Sequence, residues 1–355
     1  MAGDDQASSN FKLSFPMKFK GERLDKKKIL KRCLLGMALF LLAAFFSAAS
    51  FSFWYLHSFL QAAGMERGEL VNLLKETASY SPSSFNFLFL GLDQRPGSQT
   101  LLTDTIMAGF FRLQPKTKIS FISFPRDLWI APLKTKINAL YYYGQKENSK
   151  DGTRLLKRQI ETITNEEINY SILIDFNIVS EIVDCVGGVD IEVARAFDDF
   201  SYPLDDGSGK TTRLHFDAGW QKMDGKRVLQ YVRSRKSSDI REGTDEARVK
   251  RQQQVVNALL KKVVSREVIA NPQVMGSLYR IWKEEVKTDM PLPLLLRVGL
   301  LSLHQGYDWQ FFSLPSSLLI NPPLSKHDGL WVLEPKGGDW EEIGKWIKKT
   351  IKEEI

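Results

Sequence analysis

The sequence predicts an α/β fold: a layered α/β/α domain with a central mixed β-sheet flanked by helices, behind a single N-terminal transmembrane helix. Three observations predict it. The apolar runs at 85–92 ("FNFLFLGL"), 104–113 ("DTIMAGFFRL"), 118–124 ("KISFISF") and 170–176 ("YSILIDF") are nearly continuous, the pattern of strands covered on both faces. Segments with helical periodicity alternate with them, which favours one layered domain. Ahead of all of these, Cys33–Leu56 holds no charged residue.

That charge-free stretch is long enough to span a bilayer core of about 30 Å at about 1.5 Å per residue. Trp54 and Tyr55 fit an interfacial aromatic belt at its far end. Residues 18–32 just before it carry eight Lys or Arg against two acids, which keeps residues 1–32 cytoplasmic by the positive-inside rule. The expected order is therefore a basic tail at 1–32, an anchor at 33–56, a helical stalk at 57–84 and an extracytoplasmic domain at 85–355. A cleaved signal peptide, with "SAASFS" as its small-residue site, is the alternative.

Composition narrows the function. Hydrophobic residues at 43% and charged residues at 26% suit a folded domain rather than a disordered chain. The basic run does not imply nucleic acid, because a 32-residue tail is too short for a helix-turn-helix domain. Cys33 lies in the span and Cys185 stands alone, so the outer domain has no internal disulfide. Four widely spaced His give no zinc site. Neither a G-x-S-x-G elbow nor a Gly-rich Walker loop is present.

Along the outer domain, "QPKT" turns between the second and third strands. Residues 151–165 read as an amphipathic helix. Residues 177–188 read as a helix stopped by Gly187–Gly188 and followed by a strand at 189–193. The polar segment 196–216 reads as a surface loop. Helices are expected at 224–235 and 247–265, short helices from about 270 to 311, late strands at 309–315 and 330–335, and a closing helix at 339–355.

Four charged clusters interrupt these elements. Asp93 follows one strand and Asp104 opens the next, so a hairpin brings both carboxylates to one end of the sheet. Arg126 and Asp127 follow the third strand. Arg233 and Arg235 lie in "YVRSR", and Asp245, Arg248, Arg251 and Gln252 in "DEARVKRQ". Arg248, Arg251 and Gln252 fall on one helix face. Each cluster alone has a plain reading as solvated charge. Together, two Asp suit Mg²⁺, which shares substrate phosphates, and several Arg suit a phosphate, toward which guanidinium is bidentate.

In chain order, "GLDQR…TDTIM", "SFPRDLWI", "KINALYYYG", "VDCVGGVDIEV", "MDGKRVLQYVRSR" and "RVKRQQQVV" resemble the LytR-CpsA-Psr family over roughly residues 85–262. The resemblance implies a Mg²⁺-dependent, membrane-anchored phosphotransferase that moves a glycan polymer from a polyprenyl pyrophosphate carrier to peptidoglycan or another wall acceptor. It implies Asp93 and Asp104 as metal ligands. It also implies Arg126, Arg233, Arg235, Arg248 and Gln252 as pyrophosphate contacts, with Arg251 in the same motif. Arg126, Arg233 and Arg235 would also act in catalysis, with Asp127 either orienting Arg126 or serving as base. Lys136 and Asn138 match a supporting "KIN" motif. Leu102 and Thr103 stand where the family carries a basic residue before the second Asp, so that contact is either missing or supplied from elsewhere, with Arg95 the candidate. A polyprenyl-pyrophosphate hydrolase and a non-catalytic, lipid-binding envelope regulator are the alternatives.

Overall fold

The computed structural model describes residues 26–94, 101–114, 116–147, 152–204, 209–237 and 239–352. They divide into a unit ending at Trp54 and a unit from Tyr55 to Ile355. The described part of the first belongs to helix α1 (Lys26–Ala63), whose stretch from Cys33 onward is long and apolar enough to cross a membrane. Its large apolar side chains, Phe40 and Phe45 among them, stand exposed.

The end of α1 belongs to the second unit. Tyr55 Oη donates to the Ile269 carbonyl at 2.5 Å. Leu60, Ala63 and Met65 are buried against Leu70, Leu73 and Tyr279, the two leucines lying on α2 (Arg67–Ser79). A Cβ on Gly276 would meet Ala62 Cβ at 2.7 Å, so this helix crossing needs glycine. Tyr279 Oη and Lys283 Nζ both donate to Glu69 at 2.8 Å. The segment expected as a stalk thus packs onto the domain through its own apolar stripe.

Strands β1 (Ser84–Leu92), β2 (Thr103–Gln114) and β3 (Lys116–Ser123) form an antiparallel meander. A short hairpin, β4 (Trp129–Ile130) and β5 (Thr135–Lys136), leads into α3 (Leu140–Glu147) and α4 (Thr153–Thr164). Leu156, Ile160 and Ile163 give α4 one buried stripe, and Asn165 ends it in the left-handed conformation at φ 53°. Strand β6 (Tyr170–Asp175) then runs parallel to β1.

A second core is built from α5 (Phe176–Cys185), β7 (Val189–Val193), β8 (Phe197–Pro203), β9 (Thr211–Phe216), β10 (Gly219–Met223), α6 (Gly225–Arg233) and α7 (Asp245–Val263). Here the structure corrects the sequence reading of a loop at 196–216: Phe197–Pro203 and Thr211–Phe216 are strands, β8 pairing antiparallel with β9. The polar residues mask an alternation in which Phe197, Asp199, Tyr202, Leu214 and Phe216 turn inward. Phe197 stacks on Phe216 with ring centroids 5.0 Å apart. Each such buried ring favours the fold by about 1.5–3 kcal/mol.

The chain continues through α8 (Arg266–Ile269), α9 (Pro272–Glu285), β11 (Lys287–Thr288), α10 (Leu292–Gln305), β12 (Tyr307–Ser313), β13 (Leu319–Ile320), β14 (Glu334–Pro335) and α11 (Glu341–Lys352). The late strand expected at 330–335 is reduced to the two residues of β14. The central sheet has six strands in the order β11-β6-β1-β2-β3-β12. Strands β1, β3, β6 and β12 run one way, and β2 and β11 the other. One face buries Leu88, Leu90, Ile106 and Ile122 with Leu156, Ile160 and Ile347. The other buries Phe87, Phe111, Phe121 and Ile172 with Met290, Leu294 and Val298. This is the mixed, helix-flanked sheet that the continuous apolar runs require.

Candidate active site

Four parallel strands present their carboxyl ends at one edge of the sheet, the position where open α/β sheets hold ligands. Asp93 follows β1, Arg126 and Asp127 follow β3, and Asp175 closes β6 while capping α5 through the Asn177 N–H. Gly91 pairs with Thr105 but Leu92 pairs with Thr103, so Asp104 is the extra residue of a β-bulge. Bulges re-aim side chains. Here the carboxylate accepts from Arg126 Nη1 at 2.8 Å and from Arg235 Nη2 at 2.5 Å.

Asp93 is ion-paired with Arg233, Oδ1 to Nη2, at 2.8 Å. Arg233 is the last residue of α6 and its side chain is only 3% exposed. Asp127 accepts from Lys136 Nζ at 2.6 Å and lies 3.4 Å from Arg126 Nε. The "KIN" segment supports this loop through its main chain as well. Asn138 N donates to the Arg126 carbonyl at 3.3 Å, and Thr103 Oγ1 donates to the Asn138 carbonyl at 3.2 Å. Asp127 is thus ion-paired with two cations, Lys136 and Arg126.

Helix α7 supplies the other wall. Thr244 caps it by accepting from the Ala247 N–H. Gln253 Nε2 donates to Ser123 Oγ at 2.8 Å and to the Phe312 carbonyl at 3.0 Å, which ties α7 to the ends of β3 and β12. Arg248 and Gln252 are buried, not solvated. Arg248 pairs with Asp245 at 3.0 Å. Its Nε and Nη1, and Gln252 Nε2, have no hydrogen-bond partner among the described residues.

The electrostatics follow from this crowding. Burial works to raise the Asp104 carboxyl, but Arg235, Arg126 and Arg248 outweigh it and hold it below the ordinary aspartate value. Burial also disfavours charge on Arg126, yet its bond to Asp104 and the Asp127 carboxylate raise it above the usual arginine value. Arg248 is pushed down to about 10, first by burial and then by the like charges of Arg235 and Arg126. Burial thus leaves Arg248 a costly cation with two donors unpaired among the described residues.

The structure therefore brings together Asp93, Asp104, Arg126, Asp127, Arg233, Arg235, Arg248 and Gln252. Arg251 does not join them as a ligand. Its Nε, Nη1 and Nη2 donate to the carbonyls of Tyr231, Glu242 and Ser234 at 3.0, 3.0 and 2.7 Å. One turn's register on α7 separates it from Arg248, so it faces the end of α6. Arg95 lies outside the described residues. Sequence reasoning passed over Gln253 and Asp199. The inward parity of Asp199 with Phe197 was the available signal for the latter, and nothing in the sequence distinguishes Gln253 from its neighbours.

For the metal, no group of three His, Cys, Asp or Glu comes together among the described residues. Two carboxylates on adjacent strand ends fit Mg²⁺ nonetheless, since that ion takes one or two carboxylates and completes its shell with water and phosphate oxygens.

At this sheet edge aspartates alternate with arginines, of which Arg233 and Arg248 are buried. Comparison with known proteins is more specific: the family model described as the LytR_cpsA_psr family matches residues 55–345, and the chain belongs to that family. It is 29% identical over 262 residues to the polyisoprenyl-teichoic acid–peptidoglycan teichoic acid transferase TagV of Bacillus subtilis, covering 69% of this chain and 60% of that protein. It is 24% identical over 278 residues to TagU, of the same transferase name, from Bacillus licheniformis, covering 76% and 80%. The crystal structure of B. subtilis TagV matches with a TM-score of 0.56 at 22% identity, covering 76% of this chain and 98% of that one. A structure of TagT bound to LIIa-WTA matches at 0.54 and 19% identity, covering 76% and 92%. These structural likenesses establish the fold.

Proposed function

We propose that this protein is a phosphotransferase that moves a glycan polymer from a polyprenyl pyrophosphate carrier onto a wall acceptor such as peptidoglycan. The observation that carries it is the buried Arg248, whose two unpartnered donors stand beside the Asp104–Arg126–Arg235 group. Buried donors without partners cost about 1–3 kcal/mol each, and a bound pyrophosphate removes that cost. The names of the relatives supply the substrate class.

In the reaction, an acceptor hydroxyl attacks the glycan-linked phosphorus. The bond from that phosphorus to the bridging oxygen breaks, polyprenyl phosphate leaves with that oxygen, and the hydroxyl proton passes to solvent. Arg126, Arg233, Arg235 and Arg248 stabilise charge as it moves onto the leaving phosphate. Gln252 Nε2 supplies a neutral donor. Asp127, paired with Lys136 and Arg126, keeps Arg126 aimed at the phosphate. Asp93 and Asp104 would hold Mg²⁺, which when bound neutralises part of the pyrophosphate charge. The apolar α1 serves as anchor, with residues 1–32 cytoplasmic and the domain outside.

Incubating the full chain with a polyprenyl-pyrophosphate glycan, Mg²⁺ and peptidoglycan tests this. The expected product is glycan joined to peptidoglycan by a phosphodiester, with release of polyprenyl phosphate. Glycan phosphate formed at the same rate without peptidoglycan would make the protein a hydrolase, and intact substrate would leave it a binding protein.

A further inference from the structure

The chain from Tyr231 to Lys236 carries both Arg233 and Arg235, and two buried charged residues bond to it. Asp199 is 2% exposed. Its Oδ2 accepts from Ser234 Oγ at 2.7 Å, from Arg235 N at 3.1 Å and from Lys236 N at 3.2 Å. Its Oδ1 accepts from Ser201 N at 3.0 Å. Arg251, also 2% exposed, donates to the Tyr231 and Ser234 carbonyls and to Glu242 Oε2, the last at 3.1 Å. The carboxylate takes the N–H groups of the segment and the guanidinium takes its C=O groups.

This arrangement answers a local need. Tyr231 is in the last turn of α6, where carbonyls lack helical partners, and a cation there also meets the negative end of the helix. Arg235 N, which a continuing helix would aim at the Tyr231 carbonyl, turns to Asp199 instead. Ser234 is extended at φ −60°, ψ 129°, so Arg233 and Arg235 project to the same side. They reach Asp93 and Asp104 respectively.

Stability alone does not account for such charges, because well-packed apolar residues commonly serve as well as a buried ionic group. What the pair adds is placement. Burial works to raise the Asp199 carboxyl, yet bonds from Ser234, Ser201, Lys236 and Arg235 hold it below the ordinary aspartate value. It therefore stays ionised at neutral pH and keeps its acceptors.

We propose that Asp199 and Arg251 are positioning residues: they fix the main chain of 231–236 so that Arg235 presents its guanidinium to the pyrophosphate. This rests on the pyrophosphate reading above. Neither residue touches the anion, and each acts through Arg235.

The test is calorimetric binding of inorganic pyrophosphate with Mg²⁺ to the full chain in detergent micelles. Four proteins are compared: wild type, Asp199→Asn, Arg235→Ala and the double variant. Each single variant is expected to bind roughly tenfold more weakly, as for loss of one charge-assisted contact. The double variant should bind about as weakly as Arg235→Ala alone, because the two changes remove one contact. Should Asp199→Asn not fold, Ser234→Ala removes only one of its four bonds, and a loss of roughly threefold is expected. A double variant that loses the full product of the single effects reduces Asp199 to a structural role and overturns the proposal. Equal affinity in all four does the same. Wild type that binds no pyrophosphate overturns the site reading and this inference together. Wild type that binds but transfers no glycan refutes the transferase and leaves the positioning intact.

Discussion

Asp104→Asn separates this site from a chance gathering of surface charges. The side chain of Asp104 is 8% exposed and bonds to Arg126 and Arg235. Asparagine keeps one acceptor and loses the charge. The Arg235 side chain is 39% exposed, so water replaces most of what it loses and its share stays near about 1 kcal/mol. Arg126, at 22%, loses a larger part of a charge-assisted bond, about 1–2 kcal/mol. Removing the anion also leaves Arg126, Arg235 and Arg248 facing one another. The total is about 3 kcal/mol. With a melting entropy of about 2.1 cal/mol/K per residue over a unit of about 300 residues, the melting temperature should fall by about 5 °C.

The pH dependence carries a definite sign. The folded carboxyl of Asp104 lies below its ordinary value of 3.8. Its contribution is therefore complete above that value and is lost as pH falls through the folded one. Scanning calorimetry in EDTA should find the gap between wild type and variant unchanged between pH 7 and 5 and closing below about pH 4. A gap that widens as pH falls below about 4, or a variant that melts above wild type at pH 7, would refute the electrostatic account.

Other outcomes follow from the same geometry. Arg126→Lys should lower the rate of glycan transfer roughly ten- to hundredfold, since an ammonium cannot bond Asp104 and a phosphate oxygen in one plane; a wild-type rate would return the Arg126–Asp127 pair to an ordinary surface contact. Arg248→Met should raise the melting temperature by about 1–2 °C by removing a buried cation, while weakening pyrophosphate binding at least tenfold by calorimetry. Protease added to intact spheroplasts should digest the domain beyond Ala63 and spare residues 1–32, and protection of the domain would reverse the proposed orientation.

The sheet was legible because its strands are covered on both faces. "FNFLFLGL" has to be apolar at odd and even positions alike, with Phe87 under one helical layer and Leu88 and Leu90 under the other. The β8–β9 hairpin was hidden for the opposite reason. Only one of its faces is buried, and Asp199 sits on that face, so composition read as loop where parity read as strand. The stalk concealed another kind of information. Leu70 and Leu73 look like any short amphipathic stripe, and only their packing on Leu60, Ala63, Met65 and Tyr279 reveals what they cover.

Arg248 and Arg251 carry the same point into the site. In the sequence they are two arginines on one face of one helix, and i, i+3 spacing assigns them a common role. Their surroundings assign different ones. Arg251 meets the carbonyls at the end of α6 and the Glu242 carbonyl, and finds an acceptor for every nitrogen. Arg248 meets Arg126, Arg235 and the Asp104 carboxylate, and keeps two nitrogens without a partner. A guanidinium with its donors satisfied holds main chain in place, and one with donors unsatisfied waits for an anion. Spacing selects the face, but only the acceptors brought up by other elements divide ligand from scaffold. For Arg251 those acceptors come from the end of α6 and from Glu242, and for Arg248 the nearby carboxylates are Asp245 and the Asp104 of the β2 bulge.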